Sequence, residues 1–152
     1  MNVQTHAQVS VTADRFLGAW KLAVWDIQYA DGRAPTYPYG NDAVGWIMYT
    51  PDGRMSVTVS GSRRHKLSTE NVRKAPVEER LAAFDSYFTY TGSYTVEGTD
   101  VIHHVELSLN PNFCGTEQRR RAVFEGRRLT LSAEDVVNGV RRTHRLVWER
   151  PD

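Results

Sequence analysis

The chain has 152 residues, 40% of them hydrophobic and 24% charged, with a net charge of +1. This describes one ordinary globular domain, long enough to bury about 70% of its unfolded surface, and near-neutrality removes the electrostatic case for nucleic acid as a main partner. One cysteine, Cys114, rules out an intrachain disulfide, and no apolar run approaches the ~20 residues of a membrane span.

Residues 1–14 are polar and lack the basic start and apolar run of a signal peptide. They read as a disordered or loosely attached segment ahead of a single domain over 15–152, and the chain reads as cytoplasmic. Turn signals then recur: Asp31-Gly32, Pro51-Asp52-Gly53, Gly98-Thr99, Asn110-Pro111-Asn112, Gly126-Arg127 and Asn138-Gly139. They cut the chain into strands at 16–29, 43–50, 54–60, 90–97, 100–109, 116–125, 128–132 and 140–149. Residues 61–74 form a polar, basic loop with the place of a lid. In 76–88, Pro76 stands at a first helical position, Glu78 and Glu79 follow, and Val77, Leu81, Phe84 and Phe88 fall at helical spacing. One short amphipathic helix is expected there, over an open end.

The hairpins fix which side chains share a face. A two-residue loop at Gly98-Thr99 pairs Glu97 with Asp100 and Tyr94 with His103. A loop at Gly126-Arg127 pairs Phe124 with Leu129, and the turn at Pro51-Asp52-Gly53 puts Tyr49 beside Met55. All three give one apolar face, including Ile47, Val57, Val105, Leu107 and Trp148, and one charged face, including Glu97, Glu117, Arg119 and Arg121. By the same parity Trp25 and Trp46 face outward, which predicts a helix or a second copy of the chain over them.

Six blocks in order carry a resemblance. They are Phe16-Leu17-Gly18-Ala19-Trp20-Lys21-Leu22, the run from Val44-Gly45-Trp46 to Pro51-Asp52-Gly53, Thr91-Gly92-Ser93-Tyr94, His103-His104-Val105-Glu106, Gly115-Thr116-Glu117-Gln118 and Arg145-Leu146-Val147-Trp148-Glu149-Arg150. Over residues 15–150 the chain resembles the bacterial and fungal lipocalin-like domain family, small relatives of the calycin barrels. The resemblance implies an all-β, eight-stranded antiparallel barrel with a cavity. It also implies either a cyclase or pericyclase of polyketide or terpenoid chemistry or a plain carrier, and it carries no established catalytic set.

Several polar groups fall on the inner face: Tyr49, Tyr94, His103, Gln118, Arg120 and His144. Pairing the strands at 100–109 and 116–125 puts Arg120 opposite Val105 and Gln118 near Leu107. Arg120, Gln118 and Tyr94 then suit a carbonyl, enolate or carboxylate of a ligand, unless Arg120 satisfies a local acceptor, with Asp26 a candidate if it faces inward. His103 reads either as the acid/base group or as a hydrogen-bonded core residue partnered by Tyr94. Tyr49, Met55, Phe124, His144 and Trp148 complete the expected ligand wall. His104-x-Glu106 points outward with no third ligand, so no metal site is expected, and no cofactor fingerprint is present. Cys114 has no identifiable base, and strand alternation splits the arginine pairs between faces.

Two functions fit this reading. One is a cofactor-free cyclase or isomerase on a hydrophobic polyketide- or terpenoid-like substrate, with His103, Arg120 and Tyr94 as its catalytic groups. The other is a carrier or binding protein for a similar small hydrophobic ligand.

Overall fold

The computed structural model describes residues 11–152. Eight strands follow in sequence: β1 (Gly18–Tyr29), β2 (Val44–Tyr49), β3 (Arg54–Ser60), β4 (Tyr87–Glu97), β5 (Asp100–Ser108), β6 (Glu117–Glu125), β7 (Arg128–Val137) and β8 (Val140–Glu149). Each pairs with the next, and β1 pairs with β8, closing an antiparallel barrel without free edges. The one α-helix among the described residues, α1 (Val77–Asp85), leads into β4.

The three registers read from the turns are all present. Tyr49 lies opposite Met55, Tyr94 opposite His103 and Phe124 opposite Leu129. The N-terminal segment 1–14, expected to be disordered or loosely attached, falls largely outside the described residues. From Val11 on, the chain is tied down, with the Val11 N–H donating to Gly98 O at 2.8 Å.

Side-chain alternation fails in two places, each at an extra residue in one strand. In β1 the register against β8 shifts between Leu22 and Val24, which turns Trp25 inward instead of outward. In β5 the pairs Gly92–Val105 and Thr91–Leu107 leave Glu106 as the extra residue, and Leu107, expected inside, is 67% exposed. Trp46 does stand on the outer wall, beside Val44 and Met48.

The β5 bulge needs Gly92. A Cβ there would sit 1.8 Å from His104 O, a backbone atom that no rotamer change can move aside. Gly18 has a second such role, because it adopts φ 100° and a Cβ would meet the Arg150 guanidinium at 3.0 Å. The opening Gly-x-Trp motif is therefore the seat of a C-terminal arginine.

One end of the barrel is solid. Phe16, entering from a 3-10 turn at Ala13–Phe16, packs edge-on against Tyr49 and Phe124. Its carbonyl accepts from Trp20 Nε1 at 2.8 Å, and Arg150 lies 3.6 Å over the Trp20 ring. The helix stands at the opposite end, but its side chains do not line the interior. Val77, Leu81 and Phe84 share a face as their spacing requires, and all three are exposed. The loop at 61–74 folds onto the helix, with Ser68 donating to Glu79 and Arg64 to Ala83 O.

Gly92→Ala is expected to lower stability by about 3 kcal/mol, the upper end of the overpacking range, in equilibrium urea unfolding. Wild-type stability in this variant would show that β5 does not need the bulge.

Candidate functional site

The open half of the barrel holds a cavity of about 430 Å³, within the size range of small-molecule sites. Its walls come from opposite sides of the barrel. Ile47, Val57 and Val59 lie on one side, and Leu131, Leu146 and Trp148 on the other. Aromatic rings frame it: Trp25 stacks on Tyr39 at 5.2 Å and 29°, and Phe88 meets Phe113 edge-on at 5.6 Å.

Five of the expected site residues meet here: His103, Gln118, Arg120, His144 and Trp148. The other four belong to the solid end. Phe124 packs on Phe16 and Trp20, and Met55 is buried in the core. Tyr94 donates its hydroxyl to Thr50 O at 3.0 Å, so it does not reach His103 although the two are cross-strand neighbours. A directly paired tyrosine extends its ring past its neighbour, and here it runs toward the turn at the end of β2. Tyr49 sits behind the cavity, where its hydroxyl meets His103 Nε2 at 2.7 Å.

The register of β5 against β6 differs from the expected one by four residues. Arg120 lies opposite Val101 and Gln118 opposite His103. Beyond Val105, β5 pairs with β4 alone, through Leu107 and Ser108, before the 3-10 turn at Pro111–Phe113.

His103 is 1% exposed and has both ring nitrogens engaged. Nε2 meets Tyr49 Oη, and Nδ1 meets Tyr90 Oη at 2.7 Å. Burial, with a further downward pull from the Arg120 charge, lowers its pKa to about 3. Burial also pushes Tyr90 up to about 12. His103 is therefore neutral at working pH and hydrogen-bonded in the interior, with Tyr49 and Tyr90 rather than the expected Tyr94 as its partners.

Arg120 is the cation of the site. Nη1 donates to Arg119 O at 2.9 Å, and Nη2 to Gln118 Oε1 at 3.3 Å. Gln118 is itself held by donating to Thr116 Oγ1 at 2.9 Å. Among the described residues no carboxylate forms an ion pair with Arg120. Asp26 faces the other way and pairs with Arg145 at 2.7 Å, so it does not neutralise the cavity. The carboxylates at the mouth are Glu134 and Asp135, and Asp135 is taken by Arg142 at 2.7 Å and lies 3.4 Å from His144. Burial lowers the His144 pKa despite that neighbour.

Among the described residues, the indole N–H groups of Trp25 and Trp148 are buried without a hydrogen-bond partner, an arrangement that costs about 1–3 kcal/mol per group.

Sequence reasoning missed Tyr90, Trp25, Tyr39, Phe88 and Phe113. Parity with Gly92 and Tyr94 was a signal for Tyr90. Phe113 and Tyr39 arrive from loops, where no periodicity marks an inward residue.

A family model described as a lipocalin-like domain matches residues 17–151. The chain is also similar to the 4'-hydroxy-3'-methoxypropiophenone carrier protein ppsC of Aspergillus oryzae. The two are 35% identical over 83 residues, covering 48% of this chain and 75% of the relative. No solved structure matches.

The His103 environment has a pH signature. The unfolded chain protonates this residue near its ordinary 6.5 and the folded chain only near 3, so unfolding takes up a proton between those values. Its contribution to stability is complete above pH 6.5 and is lost as pH falls toward 3, by up to about 1.4 kcal/mol per pH unit. Urea unfolding of wild type and His103→Gln between pH 7 and pH 4 is expected to show a shallower acid loss in the variant. Parallel curves would mean that His103 titrates normally in the fold.

Proposed function

The chain belongs to the lipocalin-like domain family, and from that premise we propose that its barrel binds and carries a small aromatic molecule bearing an anionic or carbonyl oxygen. The observation that carries this reading is Arg120, a guanidinium without a carboxylate partner in a cavity walled by Trp, Tyr and Phe. Apolar walls supply most of the affinity by burial, and one cation fixes the orientation of an oxygen. The relative named as a carrier of an aryl ketone supports the same chemistry.

The barrel itself supports binding further than it supports a chemical step. Proton transfer near pH 7 calls for a group that titrates there, whereas His103 is held neutral with both nitrogens occupied. A cofactor-free cyclase or isomerase of polyketide- or terpenoid-like chains would have to act through confinement in the same cavity.

The test is a titration of the full chain with 4'-hydroxy-3'-methoxypropiophenone, read by quenching of tryptophan fluorescence and followed by recovery of the ligand. Saturable quenching, unchanged recovered ligand and about tenfold to hundredfold weaker binding by Arg120→Met are expected. Unsaturable quenching, or equal affinity in the variant, would overturn the reading. A cyclised or isomerised product recovered from a linear polyunsaturated ketone would favour the enzyme over the carrier.

A further inference from the structure

The chain Tyr49–His103–Tyr90 holds two hydrogen bonds but three exchangeable protons. Each tyrosine brings one hydroxyl proton, and neutral His103 brings one ring proton. Two protons fill the two bonds and one hydroxyl proton is left over. Which tyrosine keeps it depends on the His103 tautomer.

If Nε2 carries the ring proton, it donates to Tyr49 Oη, and Tyr90 spends its own proton on Nδ1. The spare proton then lies on Tyr49. That hydroxyl is in a residue 2% exposed, between the rings of Phe16 and Tyr94. Among the described residues it has no hydrogen-bond partner besides His103. A stranded donor there is costly. If Nδ1 carries the proton instead, Tyr49 donates to Nε2 and His103 donates to Tyr90. The spare proton then lies on Tyr90, which lines the cavity.

We propose that Tyr49 and His103 orient Tyr90 so that its hydroxyl proton faces the cavity, where Tyr90 and Arg120 together bind one acceptor oxygen of the ligand. The proposal rests on the binding function above and narrows it to a ketone, enolate or phenolate oxygen at this position. Tyr90 contributes as a ligand-binding residue, and Tyr49 and His103 are positioning residues. Arg120 is a donor as well, and a ligand oxygen that only accepts fits two converging donors better than a hydroxyl or amine that must also donate.

Two measurements on the full chain test it. The first is the nitrogen-15 spectrum of His103 in the ligand-free protein at pH 7, which reports the protonated ring nitrogen. Nδ1–H is expected, and Nε2–H overturns the proposal. The second compares 2-acetylnaphthalene with 2-ethylnaphthalene, which has a similar shape and no oxygen, by tryptophan quenching. Wild type is expected to prefer the ketone, and Tyr90→Phe to lose about two- to tenfold of that preference while keeping its affinity for the hydrocarbon. A ketone preference unchanged in Tyr90→Phe overturns this proposal and leaves the binding function standing, whereas one absent from wild type overturns the oxygen-binding role of Arg120 as well. If wild type binds neither compound, both fail.

Discussion

The guanidinium of Arg150 lies over Trp20 and donates to the carbonyls of Ala19 and Arg15, fastening the C-terminal strand across the start of the first. The rest of the interior depends on that closure. With Phe16 wedged beneath it against Tyr49 and Phe124, half of the barrel is packed solid. A small barrel of eight strands has just enough width to be filled by its own side chains or to hold one small ligand. Here the two outcomes share one cylinder, solid at the plugged end and hollow beyond it.

The border between the halves is the polar layer. Tyr49 belongs to the solid side and Tyr90 to the hollow side, with His103 between them. An imidazole in so dry a place stays neutral, because ionising it there would forfeit hydration that its two tyrosine partners do not replace. Arg120 can remain charged beside it because the cavity opens toward solvent and backbone and amide oxygens accept from its fork. The same positive charge that discourages protonation of His103 is left free for an incoming oxygen. Local stability and ligand chemistry therefore arise from one arrangement.

Much of this is legible in the sequence. Turn residues marked the hairpins, and period-two alternation sorted inner from outer positions, because both are local effects of backbone geometry. His103, Gln118, Arg120, His144 and Trp148 came out on the cavity wall for that reason. The errors fall where an extra residue breaks the alternation. The bulge near Ala23 turned Trp25 inward, and the one at Glu106 turned Leu107 outward. No local pattern announces a bulge, although Gly92, where a side chain cannot fit, was its only trace. The partner of His103 was misassigned because a register gives Cα neighbours, and a long ring bonds at its far end. Which half of the barrel is hollow is a matter of summed side-chain volume across eight strands, and no single segment encodes it.

A crystal structure of the full chain soaked with acetophenone tests the half-hollow barrel most directly. The aryl ring is expected among the aromatic walls beside Trp148, with the ketone oxygen within hydrogen-bond distance of Arg120 and Tyr90. An interior filled by its own side chains, or a ketone oxygen turned out toward Glu134 and the mouth, would contradict it.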